Sequence, residues 1–169
     1  MVGDRNVGKE LQKKEIFAYL AVITIVSMLL IWLVFYSSNG GVDFEEDTVI
    51  VTNSSGEEIE LSVEIAETDE QRKQGLMEHG SLCEYCGMLF VYEEDVHKGF
   101  WMKDTQIPLS IAFISENGTM MEIQQMEPET TETHRPQEPY RYALEVNQGF
   151  FQENQINVGD VVSIPEKYK

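Results

Sequence analysis

Apolar residues follow two different patterns along this chain. Residues 16–36 (IFAYLAVITIVSMLLIWLVFY) are apolar at nearly every position and carry no charge. As a helix this stretch would be about 31 Å long, the thickness of a bilayer's hydrocarbon core. It is apolar on every side, so it lacks the polar face of a helix packed on a soluble core. A single membrane-spanning helix is predicted here.

Beyond residue 47 the apolar period shortens to two. Thr48, Val49, Ile50, Val51 and Thr52 make a β-branched strand, and Asn53, Ser54, Ser55 and Gly56 make a turn. Ile59, Leu61, Val63 and Ile65 then alternate with Glu58, Glu60, Ser62 and Glu64. That is a strand with one dry and one wet face, hairpinned to the first. Thr68 changes the pattern: with Gln71 it forms a capping box, Asp69 and Glu70 suit a helix N-terminus, and Gly75 marks the end. One short helix is predicted over 68–77.

Further strands are expected over 88–92, 100–102, 109–114, 119–125, 140–146 and 161–164. Between them lie a charged loop at 93–98, an Asn117-Gly118 hairpin signal, and a long exposed loop over 126–139 with Pro128, Pro136 and Pro139. A turn or short helix follows around Gly149. The chain divides into a tail (1–15), the apolar helix (16–36), a small acidic linker (37–47) and a mainly β domain (48–169). Short strands, frequent turns and one helix predict a small sandwich or barrel.

Charge sets the orientation. Arg5, Lys9, Lys13 and Lys14 precede the apolar run, and the next basic residue is Arg72. The positive-inside rule places the N-terminus in the cytoplasm and the β domain outside a cell membrane crossed once. Tyr19, Trp32 and Tyr36 fall near the ends of the run, where amphipathic rings settle at interfaces. A cleaved signal peptide has a shorter apolar region and an Ala-x-Ala-like site. The sequence Ser37-Ser38-Asn39-Gly40-Gly41 is a poor substitute, so an uncleaved anchor is expected.

The net charge is −18, from 30 acidic and 12 basic residues, and all but three of the acids follow residue 36. Such a surface repels nucleic acid and anionic headgroups, which excludes a nucleic-acid partner. It is the solvated face of an acidic protein and suits a salt-rich medium, where repulsion is screened.

Four groups of residues bear on chemistry. Lys103, Asp104, Thr105 and Gln106 form a polar knot between apolar runs, with Trp101 before it and Pro108 keeping it out of a central strand. With Glu145 they form a candidate binding surface, since a lysine beside carboxylates shifts pKa values and can move protons. The bland alternative is that Asp104 and Thr105 cap a turn while Lys103 is solvated. Cys83 and Cys86 are the only cysteines, and outside the cell a local disulfide is expected. With His79 and His97 they offer two thiols and two imidazoles, the donor set of a tetrahedral zinc site; no other cofactor is expected. Asn53 and Asn117 head glycosylation acceptor patterns. Trp101, Tyr140, Tyr142, Phe150 and Phe151 are read as core rather than as a stacking groove, and His134 as an exposed loop residue.

Gln74-Gly75-Leu76-Met77, Gly87-Met88-Leu89-Phe90, Phe100-Trp101-Met102-Lys103, Thr105, Ile107-Pro108-Leu109 and Gly159-Asp160 together resemble the domain-of-unknown-function-192 family over residues 63–162. The resemblance implies a small, mostly β, commonly exported domain with no established activity. Three positions depart from the family pattern: His79 stands where Arg is usual, Asp104 where Asn is usual, and Ser110 where Asp is usual. The favoured reading is a binding or interaction module on the outer membrane face. An enzyme using the polar knot, with or without a metal, and a structural subunit of an envelope assembly are the alternatives.

Overall fold

In the computed structural model of the chain, residues 4–38 and 41–169 are described, with helix side chains described over 16–33. The chain forms two compact units, Met1–Gly41 and Val42–Lys169. The first is one helix, α1 (Asp4–Ser38). Its segment Ile16–Leu33 has a mean hydropathy of 2.6 and none of it is buried against protein. It is long and apolar enough to cross a bilayer, a property that anchors and signal sequences share. Tyr36 and the four basic residues before the apolar run lie outside the described side chains.

The second unit contains β1 (Glu45–Thr52), β2 (Glu58–Ala66), α2 (Asp69–Gln74), β3 (Cys86–Val96), β4 (Leu109–Ile114), β5 (Met120–Met126), β6 (Tyr140–Asn147), α3 (Phe150–Glu153) and β7 (Val161–Ser163). A 3-10 turn, Glu166–Tyr168, closes the chain. The strands form one sheet in the order β5-β4-β6-β3-β2-β1-β7. All neighbours are antiparallel except β2 and β3. That parallel pair needs a crossover, and the segment containing α2 supplies it.

The sheet curls until its two ends touch. Thr119 bridges Val161, the Met120 N–H donates to the Asp160 carbonyl at 2.9 Å, and the Val162 N–H donates to the Gly118 carbonyl at 2.8 Å. Gly118 has φ +87°, and a Cβ there would sit 2.4 Å from the Val162 carbonyl oxygen, so only glycine permits this approach. The result is a curled, seven-stranded half-barrel, which fits the small, mainly β sandwich or barrel expected from the sequence.

Two cores result. The inside of the curl is filled by every strand, through residues such as Val51, Leu61, Leu89, Ala112, Leu144 and Val162, and is plugged by Phe150 and Phe151. A second core lies on the other side of β3, β6 and β4, around Met88, Phe90, Ile111, Phe113 and Ala143, under Leu76, Met102 and Ile107. These strands are buried on both faces, which explains their continuous apolar runs.

Three local expectations change. β1 starts at Glu45, inside the stretch read as linker, because Glu45 to Asp47 pair with β2. β3 runs on to Val96 across the expected charged loop, with an irregular register after Val91. Its exposed acidic end reads as loop by composition but still pairs with Tyr140. Residues 100–102 are not a strand: only Phe100 pairs, in a single bridge to His134.

Candidate functional site

Glu145 sits in the middle of β6, opposite Met88 on β3 and Ile111 on β4. It is only 5% exposed, and no described residue hydrogen-bonds its carboxyl. Burial alone pushes this carboxyl up from 4.5 to about 8, so it is neutral at pH 7. A buried acid without a partner is costly and uncommon. Gly87 lets the backbone of β3 come against β6 here: a Cβ at 87 would lie 2.5 Å from the Glu145 carbonyl oxygen.

Glu145 is part of the lining of a cavity of about 250 Å³ on the second face of the sheet. Its walls include Phe90, Phe100, Trp101, Met102 and Thr105, while Asp69, Arg72, Lys73 and Lys98 bring charge to it. The capping box of α2 fixes one side. The Gln71 N–H donates to Thr68 Oγ1 at 3.2 Å, and the Thr68 N–H donates to Gln71 Oε1 at 3.0 Å. Arg72 then donates from Nη1 to the Val91 carbonyl at 2.8 Å and from Nη2 to Asp69 Oδ1 at 2.7 Å. Its guanidinium lies 4.9 Å from the Tyr92 ring centroid and Lys98 Nζ lies 5.4 Å from it, both within cation–π range. Arg72 Nε is buried without a hydrogen bond. Burial raises the Tyr92 and Tyr140 phenols above their usual value, so both stay neutral.

The predicted surface around the knot divides. Trp101, Thr105 and Glu145 line the cavity, whereas Lys103, Asp104 and Gln106 are exposed and do not. The knot is a turn: the Thr105 N–H donates to the Met102 carbonyl at 3.2 Å, and Asp104 takes the left-handed conformation at φ +57°, which Asp tolerates better than most residues. Lys103 Nζ is 3.4 Å from Asp104 Oδ2, with both side chains more than half exposed. Such a pair adds little stability.

The four-ligand zinc set does not assemble. Cys83 and Cys86 are joined in a disulfide with Cα atoms 5.0 Å apart. His79 Nε2 lies 3.3 Å from Glu64 Oε1, and His97 Nε2 lies 2.7 Å from the Pro136 carbonyl oxygen. Among the described residues no three His, Cys, Asp or Glu side chains form a metal-holding group.

Asn53 is buried and ill-suited to carry a glycan in the folded chain. Its Oδ1 accepts from the Ser55 and Glu57 N–H groups at 3.1 and 3.0 Å, and its Nδ2 donates to the Asn154 carbonyl at 3.3 Å. Asn117 is exposed on its turn. Ser110 is a structural pin: its Oγ donates to Gln125 Oε1 at 2.9 Å and accepts the Gly149 N–H at 3.0 Å. His134 is half-buried, with its backbone paired to Phe100 and Nδ1 3.2 Å from Gln124 Oε1. Tyr140, Tyr142, Phe150 and Phe151 are core, whereas Trp101 is not: it is 49% exposed, because its segment is a turn beside the cavity rather than a strand of the sheet.

Sequence reasoning missed Arg72, Lys98 and Tyr92. Each looks ordinary in its own segment, and only the fold stacks both cations on one ring. The clue it did have was Glu145, an acid inside the apolar run of 140–146.

The DUF192 family profile, described as uncharacterized ACR, matches residues 50–164. A crystal structure of a candidate transcription regulator from Sinorhizobium meliloti 1021 is 33% identical, with a TM-score of 0.71 over 73% of this chain and 97% of that one. A crystal structure of a protein of unknown function from Novosphingobium aromaticivorans is 30% identical, with a TM-score of 0.69 over 72% of this chain and 86% of that one. No curated protein matches the chain. The profile spans most of the β domain and takes in the strands and loops that build the Glu145 cavity; the chain belongs to the uncharacterised DUF192 family.

Proposed function

We propose that the β domain is a small-ligand binding module held at the outer face of the cell membrane by an uncleaved α1. Glu145 carries this reading. An unpartnered acid at a cavity among aromatic and sulfur-bearing side chains is the usual chemistry of a ligand site: mostly apolar walls with a few placed polar groups. The cavity is small for a drug-sized ligand, so the occupant is a compact molecule. The description of the Sinorhizobium meliloti relative as a candidate transcription regulator is not carried over, because a chain of net charge −18 repels a phosphate backbone.

Met77 and Met102 both line the cavity, so their ε-methyl NMR signals report on its contents. The full chain in detergent micelles should bind members of a charge-diverse fragment library with saturable shifts of both methyls. A library that moves neither signal removes the binding reading. The orientation has its own check. Protease added to intact cells should degrade the β domain and spare the residue 1–15 tail. A domain protected until the membrane is opened reverses the topology.

A second reading, acid–base catalysis, is favoured by the same carboxyl, which exchanges a proton at about pH 8. It ranks below binding because no described side chain hydrogen-bonds Glu145 to form a nucleophile–base pair.

A further inference from the structure

Basic residues are scarce on this domain, yet they gather at one cavity. Eight Lys and Arg residues follow residue 36, and three of them, Arg72, Lys73 and Lys98, line the Glu145 cavity. Arg72 is paired with Asp69. No ion pair engages Lys73 or Lys98 among the described residues, although Lys98 also lies in a shallower groove with Glu67, Asp69, Glu93 and Glu94. In the cavity lining three cations face one carboxylate, Asp69, and a neutral Glu145, so the cavity is net positive on an otherwise negative chain and favours anions.

We propose that the cavity takes a small organic acid. Its carboxylate is held by Lys73, Lys98 and Arg72, its apolar body lies between Phe90, Phe100 and Met102, and a hydroxyl at its far end meets the Glu145 carboxyl. This rests on the small-ligand reading above and adds the charge of the ligand. A cavity of about 250 Å³ has the volume of about eight waters, enough for a single-ring acid. A neutral Glu145 carboxyl both donates and accepts, as a hydroxyl requires, and does not repel an anion. An ammonium ligand would instead meet three cations against the single Asp69 carboxylate.

The groups around Glu145 give the pH dependence a sign. Asp69, Arg72 and Lys73 come from α2, Tyr92 from β3, Tyr140 from β6, and Lys98 from the segment between β3 and Phe100. The phenols stay neutral through burial. Glu145 is then the group whose charge changes near pH 8, and its ionisation sets an anion against the bound acid.

The test uses the full chain in micelles of a neutral detergent, with the Met77 and Met102 methyls as reporters and three probes: 4-hydroxybenzoate, benzoate and benzylammonium. The acids should bind, 4-hydroxybenzoate more tightly than benzoate, and benzylammonium should not. Affinity for 4-hydroxybenzoate should fall at least about fivefold from below to above pH 8, and Glu145→Gln should remove that fall. The pair Lys73→Gln and Lys98→Gln should weaken binding by about fivefold, the order expected of exposed charges.

Benzylammonium binding that tightens above pH 8 would overturn the acid assignment and leave a binding pocket standing. Acid binding indifferent to both lysines would overturn it as well. Silence of the methyls toward all three probes and the whole fragment library would sink both readings.

Discussion

Glu145→Gln is expected to abolish a loss of stability that the wild-type protein suffers between about pH 4.5 and 8. In the unfolded chain a glutamate ionises near 4.5, whereas in the fold Glu145 keeps its proton to about 8. Between those values the native state binds the extra proton, so stability falls as pH rises, by about 1.4 kcal/mol per pH unit. The stabilising proton is fully in place below about pH 4.5, and the loss is complete above about 8. Across the window it amounts to about 5 kcal/mol, a large share of a domain's net stability.

The Gln amide brings its own buried polar groups, an offset of about 1–3 kcal/mol that does not vary with pH. The difference in slope between the two proteins is therefore the quantity to read, and it also cancels the many surface acids they share. Urea unfolding of the full chain in micelles, followed by Trp101 emission across this range, gives both slopes. Parallel lines would mean that Glu145 titrates as an ordinary surface acid.

Gly87→Ala should destabilise the domain by about 3 kcal/mol, the upper end of the cost of forcing atoms into a packed interior. The new methyl would meet the Glu145 carbonyl oxygen at 2.5 Å and Val146 Cγ1 at 3.1 Å. The first of these is backbone in the middle of the sheet. Relief requires β3 and β6 to separate, and β3 also pairs with β2 at Val63. Gly80→Ala is the control: nothing lies within 4 Å of its Cβ position, so its effect should stay within about 0.5 kcal/mol. Equal losses in both variants would show that β6 yields easily at this point. The methyl signals of Met77 and Met102 should broaden or move in Gly87→Ala alone, because Phe90, three residues along β3, forms part of the cavity wall.

The two unlike apolar patterns were enough to predict the greasy helix, the hairpin of β1 and β2, the capped α2 and a mainly β body. Each is written in local spacing. What eluded local reading is set by contacts distant in sequence. The acidic end of β3 is a strand because Tyr140 lies beside it, and Phe100 is held by His134 across a long loop. Lys103, Asp104 and Gln106 drew notice as a compact polar cluster, yet a backbone turn accounts for them. Glu145 drew less notice and became the centre of the site, since its meaning depends on the two apolar strands at its sides. The histidines at 79 and 97 have ligand-like chemistry, but each is matched to a nearer oxygen.

The way the sheet ends also bears on whether copies of this domain can join strand to strand. Among the described residues, β7 has β1 on one flank and residues 118–120 on the other. Along β5, Gln124 donates to the Arg135 carbonyl at 3.2 Å, and Glu122 accepts the Gln137 N–H at 3.0 Å, so the long loop shields that margin. Bare strand margins template strand addition from neighbouring copies. With one margin paired and the other overlain by the loop, neighbouring copies find little bare strand to add to, and their shared negative charge keeps them further apart.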